Sequence, residues 1–166
     1  MKCTGVIRRI DELGRIVIPK EIRKNLAIRE GESLEIFIED DKLIMKKFSK
    51  LDNLEDNIKD IISNLSQTFH TNINFYDRDK LVYSSEENFS KIGILKEFNQ
   101  MIKDRKEIIL NEITVDDKIY KLYCKPVIIA SDVIGIIVLE IKDNLEEIIK
   151  LANFLTSVIS KKIDIL

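Results

Sequence analysis

The chain has 166 residues, of which 45% are hydrophobic and 34% charged, and its formal net charge is −2. This is the balance of a folded globular protein with room for one ordinary domain or two small ones, not of a disordered chain. No apolar run approaches the roughly 20 residues that cross a bilayer, and Met1 to Gly5 lack the apolar stretch of a signal peptide, so a cytoplasmic protein with no membrane partner is expected.

The charge is unevenly placed. Residues 1–29 hold eight Lys or Arg against Asp11, Glu12 and Glu21, a local net of +5; residues 30–48 net −3 and the remainder −4. A polyanion responds to the local field more than to the sum, so the N-terminal end is where a nucleic acid would be steered. Gly5 to Ile10 reads as a strand in which Val6, Ile7 and Ile10 enclose Arg8 and Arg9. Asp11 to Gly14 reads as a turn, its glycine supplying a backbone angle that other residues resist. Arg15 to Ile18 is a second expected strand, apolar at three consecutive positions and so covered on both faces. Pro19 suits the first position of a helix, where a missing N–H costs nothing, and the helix then runs from Lys20 to Leu26 with Ile22 and Leu26 on one face. Glu30-Gly31-Glu32 is the next turn. Ser33 to Glu39 alternates, with Leu34, Ile36 and Ile38 on one side, and a tight Asp40-Asp41 connection leads to a strand at Lys42–Phe48.

Four short strands and one helical segment in about 48 residues seldom bury enough apolar surface alone, and such units lean on metal, disulfides or a partner. Two cysteines, Cys3 and Cys124, are too few and too isolated for a disulfide framework or a zinc site, and read as small apolar residues. A partner chain is therefore expected, two copies interleaving their hairpins into one core. The stretch TGVIRRIDELGRIVIPKEIRKNLAIREGESLEIFIEDDKLIMKKF also resembles the AbrB/SpoVT family of swapped-hairpin DNA-binding domains. The resemblance covers residues 1–48 and is most specific in DELGRIVIPKEIR, where Gly14, Arg15, Pro19 and Arg23 fall in the family's order. It implies an intertwined dimer whose β-barrel presents arginines from both chains to double-stranded DNA. Carried over by position, the contacting residues are Arg8, Arg15 and Arg23, with the basic positions Arg9 and Lys24 beside them.

The alternation stops near Phe48, and residues 49–52 read as a linker. From Leu51 the period becomes helical: Leu54, Ile58, Ile61, Ile62, Leu65 and Phe69 recur every three or four residues, an amphipathic helix of about five turns. His70, the single histidine, is expected near that helix end rather than as a catalytic base. Strands are expected at 72–76 and 80–84, a helix at 94–102, three strands at 107–113, 119–127 and 133–141, and a closing helix from Asn144 to about Ile163. That order describes a five-stranded antiparallel sheet between helices.

Residues 53–166 on this reading resemble a GAF-type sensory domain, so the expected fold class is α+β: a swapped-hairpin β-barrel made by two chains, followed by a GAF-like antiparallel sheet with flanking helices. The combination resembles the family's sporulation regulators, which join the two modules. It implies a DNA-binding transcriptional regulator, a homodimer through residues 1–48, and a tetramer through the GAF-like domain. A small-molecule effector between the sheet and segment 85–104 and a plain dimerisation platform both fit the second domain, and Tyr76, Tyr83, Tyr120 and Cys124 read equally as pocket or core. No resident cofactor or metal is expected, and no nucleophile–base pair or phosphate loop points to an enzyme. The alternative function is an antitoxin of the same swapped-hairpin type, with a tail that neutralises a toxin.

Overall fold

Pro19 (φ −56°) sits at the capping position of α1, Lys20–Asn25, one residue before the helical position expected for it. Acidic Glu21 in the first turn and basic Arg23 and Lys24 in the last complement the helix dipole. The helix ends in a Schellman arrangement: Ile28 N–H donates to the Arg23 carbonyl (2.7 Å) and Ala27 N–H to the Lys24 carbonyl (3.2 Å). Ala27 takes φ +50° there, a left-handed conformation more at ease in glycine. The structure, a computed structural model, describes residues 5–48 and 55–164. The 49–52 segment, the start of the helix expected from Leu51, and Cys3 lie outside the described residues.

The chain divides into two compact units, Met1–Phe48 and Ser49–Leu166. In the first, β1 (Leu34–Glu39) and β2 (Lys42–Lys47) form an antiparallel hairpin in register from Leu34↔Lys47 to Glu39↔Lys42. The strands expected at 5–10 and 15–18 do not form within this chain: neither segment has a ladder partner. A strand exists only through a neighbour's N–H and C=O groups, and a single chain supplies none here. The apolar side chains of these segments are equally unsatisfied. Ile7 is 89% exposed and Val17 73%; Ile38 of the paired strand β1 is likewise 82% exposed, and none of the described residues 5–48 is buried. The alternating pattern is present, but the surface it should cover is absent from the chain.

The second unit buries its surface by itself. It comprises α2 (Glu55–Phe69), β3 (Ile73–Tyr76), β4 (Leu81–Ser84), α3 (Glu87–Ser90), α4 (Glu97–Asp104), β5 (Ile108–Val115), β6 (Lys118–Ile129), β7 (Asp132–Glu140) and α5 (Leu145–Asp164). The strands make an antiparallel sheet in the order β4-β3-β7-β6-β5, which is the expected five-stranded sheet with flanking helices. One correction concerns the helix expected at 94–102. It forms as α4, which starts only at Glu97 and runs to Asp104, and a separate short helix, α3, precedes it, capped by the Glu86 carboxylate, which accepts from Asn88 and Phe89 N–H.

Because side chains alternate across a strand, the sheet has two cores. Ile73 and Phe75 of β3 and Ile137 and Leu139 of β7 face α2 and α5, meeting Ile58, Ile62, Leu155 and Ile159. Their neighbours Tyr76, Ile136 and Val138 face the other way, with Tyr120 and Cys124 of β6, and pack under Phe89, Phe98 and Met101. Edge-on aromatic pairs, Tyr76 with Phe98 and Phe89 with Tyr120, both 5.4 Å between centroids, tie α3 and α4 to that face. Pro126, inside β6, is tolerated because β5 pairs β6 only as far as Cys124, leaving β7 as its one ladder neighbour. His70 follows α2 at φ +49°, with Thr71 N–H returning to the Ser66 carbonyl, so the histidine closes a helix as expected.

Candidate nucleic-acid interface

The five predicted cations all lie in the first unit and all are exposed. Arg8 and Arg9 stand on the segment entering the 11–14 turn, Arg15 is the first residue leaving it, and Arg23 and Lys24 share the last turn of α1. The turn is closed by Gly14 N–H donating to the Asp11 carbonyl (2.9 Å) and by Asp11 N–H donating to the Arg15 carbonyl (3.0 Å). Gly14, at φ +75°, fits the left-handed position that this closure demands. The turn therefore brings Asp11 back beside Arg15, with Arg8 and Arg9 on the segment that enters it. No hydrogen bond or ion pair links this group to Arg23 or Lys24 among the described residues.

Asp11 is the residue beside these cations that sequence reasoning passed over, treating it as a turn-former only. Its Oδ1 accepts from the backbone N–H of Leu13 (3.0 Å) and of Arg15 (2.8 Å), and its Oδ2 accepts from Arg15 Nε (2.7 Å). The Arg15 N–H first, and then its guanidinium, hold the Asp11 carboxyl below the usual carboxylate range. An Asp followed by Gly-Arg at the third and fourth positions is the signal that could have found it. Arg8, Arg9, Arg23 and Lys24 make no ion pair among the described residues. In an environment this exposed such cations are available to phosphates, where guanidinium forks can also read guanine edges.

The candidates in the second unit are core rather than site. Tyr76, Tyr120 and Cys124 are buried together, and Tyr83 is half-buried against the other core. Burial pushes the Cys124 thiol up to about 12, which removes it as a nucleophile at neutral pH. Tyr76 donates to the Ile92 carbonyl and accepts from Asn74 Nδ2 (2.8 Å), fixing segment 85–104 to the sheet where the sensor pocket was expected. A groove of about 640 Å³ opens instead on the opposite side, between the end of α2 and the start of α5, floored by Leu65, Phe69, Leu151 and Phe154. Among the described residues no group of His, Cys, Asp and Glu is placed to hold a metal ion, and no helix is long and apolar enough to cross a membrane.

Comparisons with known proteins divide along the same lines. Residues 7–50 match the family model described as antidote-toxin recognition MazE, bacterial antitoxin. The chain is 54% identical over 48 residues to the transition state regulatory protein AbrB of Bacillus subtilis, covering 29% of this chain and 50% of AbrB. A solution structure of AbrB's N-terminal DNA recognition domain is 53% identical, over 30% of this chain and 92% of that one, with a TM-score of 0.26. The second unit shares its fold with residues 122 to 287 of a methyl-accepting chemotaxis protein, at 11% identity and TM-score 0.52, over 68% of this chain and 91% of that one. Across both units, stage V sporulation protein T of Bacillus subtilis is 33% identical over 154 residues, 86% of each chain. Identity at this coverage shows the family: the chain belongs to the AbrB/SpoVT family.

Proposed function

We propose that this protein is a DNA-binding transcriptional regulator acting in sporulation, built from a two-chain DNA-binding barrel (residues 1–48) and a GAF-like domain (residues 53–166). The observation that carries this reading is the state of the first unit: exposed cations beside exposed apolar segments that lack strand partners. A second copy would supply the missing ladders, cover Ile7 and Val17, and bring two sets of Arg8, Arg9, Arg15, Arg23 and Lys24 to one face. Arginines on a two-fold barrel neutralise phosphates and release counterions, so binding falls steeply with salt and follows DNA shape as well as sequence. The GAF-like domain joins dimers into a tetramer, which raises apparent affinity through multivalency, and the groove between α2 and α5 offers room for a small effector. The protein works in the cytoplasm and carries out no catalysis. Replacing Arg15 and Arg23 together by Ala should abolish the shift of a DNA duplex at concentrations where the unaltered chain binds fully. Retained binding would sink the assignment. Light scattering at micromolar concentration checks the assembly, with a dimer mass counting against the tetramer.

The match of residues 7–50 to an antitoxin family favours one other reading, an antitoxin with a toxin-neutralising tail. It fits poorly with a second unit that buries two cores of its own. Resistance of residues 55–164 to limited proteolysis in the absence of any partner separates the two.

A further inference from the structure

Arg15 is the one cation of the proposed DNA face that is paired with a carboxylate among the described residues; Arg8 Nη1 donates only to the neighbouring Ile7 carbonyl, at 3.3 Å. Arg15 Nε donates to Asp11 Oδ2 while the side chain as a whole stays 72% exposed, and Nη1 and Nη2 have no hydrogen-bond partner among the described residues. The carboxylate does two things at once. It removes rotamer freedom that an unanchored arginine would lose on binding, a saving of preorganisation. It also sets a negative charge beside the guanidinium, so an approaching phosphate meets a nearly neutral pair, whereas the acceptor atoms of a base edge carry no net charge to be repelled. Arg8, Arg9, Arg23 and Lys24 have no such neighbour.

We propose that Asp11 is a positioning residue for specificity, which orients and neutralises Arg15 so that its free Nη edge reads a base in the groove rather than a phosphate. This rests on the DNA-binding reading above. It assigns the cations unlike roles: the unpaired ones supply salt-dependent affinity, and Arg15 supplies discrimination.

The test uses the full chain, a duplex enriched by that chain from a random-sequence library, and a random-sequence duplex of equal length. Asp11→Asn keeps an Oδ1 acceptor for the Leu13 and Arg15 N–H groups, so the turn survives while the charge goes. The expected result is a fall of about 3- to 30-fold in the ratio of enriched to random affinity, as for part of one bidentate base contact. Random-duplex binding should hold or tighten. The plot of log affinity against log salt should steepen by up to about 0.9 for each Arg15 that turns to a phosphate. Asp11→Asn added to Arg15→Ala should change the ratio no further. An unchanged ratio and slope, an equal loss on both duplexes, or a further loss in the double variant overturns the proposal and leaves Asp11 a turn-former. If Arg15→Ala itself leaves both duplexes bound as before, the DNA-contact reading of Arg15 falls as well. If Arg15→Ala weakens binding and Asp11→Asn does nothing, only this inference falls.

Discussion

Gly135 of β7 lies against the backbone of Tyr76 on the neighbouring strand, so close that a Cβ at position 135 would stand 2.6 Å from the Tyr76 carbonyl oxygen and 2.9 Å from the Phe75 ring. Both obstacles are central to the sheet, since Phe75 and Tyr76 are fully buried on its opposite faces. Backbone oxygen cannot swing aside as a long side chain can. Gly135→Ala should therefore destabilise the second unit by about 1–3 kcal/mol, the usual cost of overpacking. Urea unfolding followed by tyrosine fluorescence measures it. No loss would mean that β3 and β7 stand further apart than described.

Two hairpin and helix ends carry the wrong residue for their conformation. Ala130 (φ +47°) and Ser131 (φ +72°) form the two-residue loop between Ile129 and Asp132, a turn whose preferred occupants are Asn and Gly. Ala27 is left-handed at the end of α1 in the same way. Replacing Ala130-Ser131 by Asn-Gly, or Ala27 by Gly, should stabilise its own unit by about 0.5–1 kcal/mol each, since the left-handed penalty disappears. Thermal melts of the single changes test this unit by unit.

Cys124 gives the second unit a pH dependence at the alkaline end. Its thiol is raised to about 12 by burial, with Glu97 adding to the effect, while a free thiol has a pKa near 8.5. A folded value above the unfolded one means that the contribution is complete below pH 8.5. It is lost as the unfolded chain sheds its proton and the folded chain does not, until about pH 12. Between pH 8 and pH 10 the wild type should lose about 2 kcal/mol more than Cys124→Ala. Equal slopes in the two proteins would show that the thiol is not buried.

Ile7 separates a lone chain from an assembled one. At 89% exposure in a single chain, Ile7→Asp should change stability by no more than about 0.5 kcal/mol. In the proposed dimer the same change places a charge in a shared core, and the expected outcome is loss of the assembled mass in light scattering together with loss of DNA binding. An unaltered mass would remove the argument from exposed apolar segments.

How much of this was legible beforehand follows from where each residue finds its neighbours. The five strands and the long helices of residues 55–164 were readable because their apolar periods answer to a core made by the same chain, as with Ile58 and Ile62 of α2 against Ile73 and Phe75 of β3. The short helix α3 ahead of α4 was not, because the capping of Asn88 and Phe89 by Glu86 depends on where the chain lies against the sheet. Strands at 5–10 and 15–18 were readable as patterns and yet are absent as ladders, because pairing needs a neighbour that pattern alone does not provide.

By itself, the sequence determined the family, the two-unit order, and the concentration of positive charge near Arg8, Arg15 and Arg23, since these depend only on residue identity and spacing. Tertiary structure alone decided that Tyr76, Tyr120 and Cys124 are core and that Arg15 differs from its fellow cations. Burial and hydrogen-bond direction arise from groups distant in sequence or turned back by a local bend. A guanidinium held at 2.7 Å by Asp11 is a different instrument from one free in water.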